Sequence, residues 1–220
     1  MMAAMTYDPR KHHRRSIRLK GYDYTQAGAY FVTIVTHDRE CLFGEVVDGQ
    51  MRLNPFGEIV REEWFRTAVV RPYVMLAPDE FVVMPNHIHG IIWIVGAGDR
   101  NRRNVLGTDR MGVPSGRGDP VGGRGDPAGR PSRDDRDQRP RGPAAGSVGA
   151  IIGQIKSIAA KRINALRGTP AAPVWQRNYY ERIIRYETSL VRVRRYIAAN
   201  PSRWGADRDH PRRLPRRRWS

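Results

Sequence analysis

The run from Phe81 to Val95 constrains this chain more than any other stretch. It is apolar and β-rich, and Pro85-Asn86 breaks it. Residues 79–84 and 87–95 therefore predict two strands of one compact hairpin, with Pro85-Asn86 as the joint. The second strand opens with His87-Ile88-His89. Residues two apart on a strand face the same way, so both imidazoles project together. Ile88 points the other way, into a core. The result is a two-histidine platform for a divalent metal, Mg²⁺, Mn²⁺ or a softer ion such as Zn²⁺, on a rigid element.

Other elements follow from the same patterns. Tyr30 to Thr36 reads as a buried strand. Cys41 to Val47 reads as an extended piece, and Asp48-Gly49 turns it into residues 50–53. Asn54-Pro55 starts a helix over about 55–70, with Ile59, Val60, Trp64, Phe65 and Ala68 at helical spacing. Order resumes at Ser147, where Ile151, Ile152, Ile155, Ala159 and Ile163 form a helical stripe. A strand is expected over about 178–185. A helix is expected over about 189–199, capped by Thr188 and stopped at Asn200-Pro201. This order predicts an α+β sandwich, an antiparallel sheet with helices packed on one face.

Between the two halves, residues 97–146 are dominated by Gly, Arg, Asp and Pro, and Gly-Arg-Gly-Asp-Pro occurs at 116–120 and again at 123–127. Such a stretch buries too little apolar surface to offset its ordering entropy. It is expected to be a disordered insertion within one domain built from 28–96 and 147–205. Residues 1–27 are expected to form a basic arm and 206–220 a basic tail. His12-His13 in the arm reads as a solvated pair.

The 220 residues carry a formal charge of +17, which favours a polyanion, most simply nucleic acid. The one cysteine, Cys41, excludes an internal disulfide and fits a reducing cytoplasm. No apolar run approaches the roughly 18 residues that span a bilayer, and Arg14-Arg15 precede no apolar signal core. The expectation is a cytoplasmic chain with no membrane partner.

A metal beside a polyanion calls for a nucleophile. Tyr196 is the leading candidate, since Asn200 lies one turn further on the same helical face. The amide could serve as third metal ligand and the phenol as attacker, with Arg194 and Arg195 favouring phenolate. The bland reading, Tyr196 as a helix residue packed on the sheet, stays open. A zinc hydrolase is a weaker reading, because no His-Glu-x-x-His or second Cys/His cluster supports it.

Four blocks together resemble the single-tyrosine HUH transposases, the insertion-sequence-200-like group, and within it the REP-associated tyrosine transposases. They are Tyr30–Thr36 with Cys41–Glu45, Met84-Pro85-Asn86-His87-Ile88-His89-Gly90, Trp175-Gln176 through Tyr180-Glu181 to Ile184-Arg185, and Tyr196-Ile197-x-x-Asn200-Pro201. The resemblance implies a ferredoxin-like catalytic domain acting on single-stranded or hairpin DNA, such as palindromic repeats. It implies His87, His89 and Asn200 as ligands of Mg²⁺ or Mn²⁺. It implies Tyr196 as the residue that nicks and rejoins DNA through a 5′-phosphotyrosine. Tyr179 and Tyr180 remain rival tyrosines. Lys156, Arg177 and Arg185 are candidate phosphate contacts, and Tyr180 and Trp175 candidate base-stacking platforms. A DNA-binding module of the same fold that does not cut is the alternative. Monomer and homodimer both stay open, and the long insertion leaves the DNA path open too.

Overall fold

In a computed structural model, residues 21–96 and 142–211 are described. The histidines His12 and His13, residues 97–141 with both Gly-Arg-Gly-Asp-Pro repeats, and residues 212–220 lie outside the described residues.

The elements in chain order are β1 (Gly28–Val35), β2 (Gly44–Val47), β3 (Gln50–Leu53), α1 (Pro55–Val70), β4 (Val74–Met75), β5 (Phe81–Met84), β6 (His87–Ile94), α2 (Val148–Arg167), β7 (Tyr180–Ile184) and α3 (Glu187–Ala199). Short 3₁₀ turns occupy His37–Arg39, Pro78–Glu80 and Pro201–Ala206. The main sheet runs β4-β6-β1-β7, with β5 beside β4 on the same edge of β6, and every pairing is antiparallel. Taking β1, α1, β5, β6, α2 and β7 as the repeat gives the order of a ferredoxin-like sandwich. Residues from both sides of the 97–146 stretch share this sheet, because β7 pairs with β1.

Sequence chemistry explains the boundaries. The Asn54 side chain accepts from the N–H groups of Phe56 and Gly57, and Pro55 fills the first turn of α1. Ser147 caps α2 through the Ala150 N–H, and Gly168 ends it in the left-handed region at φ 67°. Asp48 and Gly49, both at positive φ, make the β2–β3 turn.

Each face of the sheet has its own core. Tyr30, Val32, Ile34, Ile88 and Ile92 pack under α1 and α2 with Trp64, Ile151 and Ile155. The opposite face carries Ala29, Phe31, Ile91 and Ile184, covered by Leu190, Val193 and Ile197 of α3. So α1 and α2 cover one face as expected, while α3 lies against the other. A stripe at helical spacing shows that a helix is covered, not which face of the sheet it covers.

Other expectations need correction. The last helix starts at Glu187, not 189, and its cap is Tyr186 rather than Thr188. Cys41 is exposed and lies outside any strand. Residues 22–27, read as the end of a basic arm, touch the fold: Tyr22 and Tyr24 pack on the core, and the Val148 N–H donates to the Tyr24 carbonyl. Residues 206–211, read as the start of a basic tail, include the buried Asp209. Trp175 is also buried, and its indole N–H donates to the Lys156 carbonyl at 3.1 Å, so it serves the core.

Gly90 sits where β6 passes under Trp64, and an added Cβ would fall inside contact distance of the indole ring. Trp64 is fully buried and stacked on Phe81, so the ring has little room to retreat. Gly90→Ala is expected to cost about 1–3 kcal/mol through overpacking. A shift in the urea midpoint checks it, and an unchanged midpoint would show that Trp64 can move aside.

Candidate functional site

The register of β6 on β1 builds the site. Thr33 stands opposite His89, and Val35 opposite His87. Both histidines therefore lie on the α3 face, while Ile88 is fully buried in the other core. His87 is wholly buried and His89 is 3% exposed. Their Nε2 atoms stand 3.0 Å apart. The Thr33 hydroxyl lies 2.8 Å from His89 Nδ1, and Asn86 Oδ1 lies 2.8 Å from His87 Nδ1. Both outward nitrogens are thus engaged, and both Nε2 atoms converge.

Helix α3 brings the third group. The Tyr196 hydroxyl lies 3.1 Å from His89 Nε2, and its ring stands edge-on to Phe31. Tyr180 reaches the same region through its ring, also edge-on to Phe31. A cleft of about 550 Å³ opens here, lined among others by His89, Tyr180, Tyr196, Asn200, Arg203 and Asp207. Asn200 is 3% exposed, and its Oδ1 has no hydrogen-bond partner. A buried acceptor left unpaired costs free energy unless something arrives to fill it.

Sequence spacing gave no sign of Asp207. One ligand atom each from His87, His89 and Asp207 lie within 4.8 Å of one another. Asp207 follows the Pro201–Ala206 turn, whose residue Trp204 packs its ring 5.9 Å from His87. The turn folds the chain back over the histidines.

These residues fit a divalent cation. Two nitrogens held about 2.1 Å from one ion at a right angle sit ~3.0 Å apart, which matches the observed spacing. An amide oxygen and a carboxylate add hard donors to two imidazoles, a mixed set that suits several divalent metals.

Electrostatics agree. Burial holds both histidines below their ordinary range. At His87 the carboxylates of Asp207 and Asp209 oppose this, and at His89 the neighbouring His87 adds to it. Neutral imidazoles are what a metal needs. Burial, then the Asp207 charge, pushes the Tyr196 phenol up, while the Asn200 amide and Arg208 pull it down. Arg194, expected to favour phenolate, points elsewhere. It donates to Glu80 Oε1 from Nε at 2.8 Å and from Nη2 at 2.6 Å. Trp93 Nε1 donates to Glu80 Oε2 at 2.6 Å. The 1%-exposed Glu80 thereby ties α3 to the edge of the sheet.

The remaining candidates lie apart from the cleft. Lys156 donates its ammonium to the carbonyls of Gln176, Arg177 and Asn178, and burial lowers its pKa to about 8. It braces that loop from beneath. Arg177 and Arg185 are exposed.

No family model matches the chain. An uncharacterized protein of Haemophilus influenzae is 36% identical over 201 residues, covering 91% of this chain and 95% of its own. The chain belongs to that protein's family. Among solved structures, a REP-associated tyrosine transposase bound to a REP hairpin overlaps with a TM-score of 0.43 at 16% identity, over 86% of this chain and 75% of that one. At that overlap the fold assignment rests on the strand order itself. No helix among the described residues is long and apolar enough to cross a membrane.

Two expectations follow. Between about pH 6.5 and the lower folded-state values, the unfolded chain binds more protons at His87 and His89 than the folded one. Stability is therefore lost as pH falls below about 6.5. His89→Gln should flatten that part of a thermal-midpoint profile, and an equal slope in both proteins would refute the assignment. Removing Arg194 leaves the buried Glu80 carboxylate with Trp93 alone, so Arg194→Met, at a pair open to solvent on the arginine side, should cost about 1–3 kcal/mol, read from the denaturation midpoint. A loss below about 1 kcal/mol would mean that water and Trp93 together satisfy the Glu80 carboxylate.

Proposed function

We propose that the chain nicks and rejoins single-stranded or hairpin DNA, with Tyr196 as nucleophile. The observation that carries this reading is that the Tyr196 hydroxyl lies 3.1 Å from His89 Nε2, itself 3.0 Å from His87 Nε2, in a cleft that Asn200, with its unpaired Oδ1, also lines. A formal charge of +17 supplies the long-range attraction for a polyanion. The sequence resemblance to HUH transposases points to the same chemistry.

In this reading His87, His89 and Asn200 hold Mg²⁺ or Mn²⁺, and Asp207 stands ready as a further oxygen donor. The bound cation would polarise the scissile phosphate and favour phenolate over phenol. The chain's own residues do the rest. α3, pinned by Glu80, holds the Tyr196 oxygen over the histidines. That oxygen attacks phosphorus, a bond from Tyr196 to the 5′ phosphate forms, and the bond to the 3′ oxygen breaks. The phenolic proton is shed and the 3′ oxygen takes one up, leaving as a hydroxyl. Attack by a 3′-hydroxyl runs the step backwards, so strands join without external energy. Arg203 and Arg208, at the cleft, are placed to meet phosphates. Tyr180 offers a half-exposed ring on which a base could stack.

Incubation with hairpin-forming single-stranded repeats and Mn²⁺ should give an adduct that survives SDS. Tyr196→Phe should abolish it, and His87→Ala and His89→Ala should reduce it at least ~100-fold. An adduct that persists in Tyr196→Phe moves the nucleophile to another tyrosine, Tyr180 first. DNA binding that resists chelator, with no adduct at any metal concentration, would identify a binding module that does not cut.

A further inference from the structure

Asn86 lies at the joint between β5 and β6 and is wholly buried. Its Nδ2 donates to two backbone carbonyls, that of Arg39 at 3.0 Å and that of Asp209 at 2.8 Å. Carbonyl oxygens only accept. The amide therefore cannot be turned over, because a flip would set its own oxygen against both of them. With Nδ2 committed, Oδ1 faces His87 Nδ1 at 2.8 Å. An amide oxygen also only accepts, so the hydrogen sits on His87 Nδ1. A neutral imidazole carries one N–H, which leaves a lone pair on Nε2. That nitrogen is the one 3.0 Å from its counterpart on His89.

His89 lacks such a constraint. Its Nδ1 meets the Thr33 hydroxyl, which can donate or accept. Thr33 accommodates either tautomer; Asn86 permits one.

We propose that Asn86 is a positioning residue, holding His87 as the Nδ1–H tautomer and so keeping Nε2 open for a metal. This rests on the metal-site reading above. Three separate pieces of chain set the lock. The Arg39 carbonyl comes from the turn after β1, the Asp209 carbonyl from the segment after α3, and Asn86 from the hairpin joint. Arg39 Nε also donates to Asp209 Oδ1 at 3.1 Å, which ties the first two pieces together.

Long-range ¹H–¹⁵N spectra of the metal-free, ¹⁵N-labelled protein read the tautomer directly, with His87→Gln assigning the signals. The wild-type protein should show His87 protonated at Nδ1. A spectrum with the proton on Nε2 overturns the proposal, whatever any variant does. Asn86→Ala should release the ring toward the Nε2–H form and weaken Mn²⁺ binding, followed by electron paramagnetic resonance, roughly 10- to 100-fold. A folded Asn86→Ala protein with the wild-type tautomer and Mn²⁺ affinity overturns the proposal. If the Ala variant does not fold, the wild-type spectrum decides. The correct tautomer without Mn²⁺ binding would sink the metal reading alone, and Mn²⁺ binding with the wrong tautomer would sink the Asn86 lock alone.

Discussion

The register between β1 and β6 is the constraint on which the site depends. Antiparallel pairing sets Thr33 against His89 and Val35 against His87. A slip of one residue would turn every side chain of β6 to the opposite face. His87 and His89 would then enter the core beneath α1 and α2, and Ile88 would enter the cleft. The apolar residues on both sides of the strand resist that slip. Ile88 and Ile92 fill one core and Ile91 the other, all fully buried. Packing on two faces thus guards the geometry of two nitrogens.

α3 depends on that sheet and adds a separate kind of control. Leu190, Val193 and Ile197 give it an apolar stripe, which holds the helix down but specifies its position along the axis only loosely. The Arg194–Glu80–Trp93 contacts are directional, and they fall two residues before Tyr196. Hydrophobic burial supplies adhesion here, and a part-buried charge-assisted hydrogen bond supplies register. An ion pair of this kind is weak evidence for net stability. Its worth lies in making alternative placements of α3 costly, because any of them would strand the Glu80 carboxylate.

Much of this was legible in the sequence where local pattern decides. The β5–β6 hairpin, the α1 cap at Asn54-Pro55 and the α2 stripe all followed from spacing. So did the shared face of His87 and His89, because period two on a strand leaves no alternative. What stayed hidden depends on contacts between distant parts of the chain. Asp207 and Asp209 lie in a stretch whose composition reads as a basic tail, and nothing local announces that Trp204 and the Pro201–Ala206 turn fold it onto the histidines. Asn86 looked like half of a turn signal, because its role needs the carbonyls of Arg39 and Asp209, 47 and 123 residues away. Arg194 sits two residues from the candidate nucleophile in sequence, but its helical position turns it toward Glu80.

The cleft is expensive for the fold that contains it. Two imidazoles are buried with their Nε2 atoms facing each other, and Asn200 Oδ1 is buried without a partner. Burial, and then the Asp207 carboxylate, hinder ionisation of the nearby phenol. None of these arrangements helps the chain to fold, and apolar residues of similar size would cost less. Each cost falls when positive charge enters the space between them. His87 Nε2 would gain a cation to bind, the orphaned oxygen would gain a Lewis acid, and the charge of the carboxylate would be balanced. A ligand that binds only the folded state stabilises it in proportion to the logarithm of its saturation. The free energy withheld from folding would then return as affinity for a cation, at the place where α3 sets the Tyr196 oxygen.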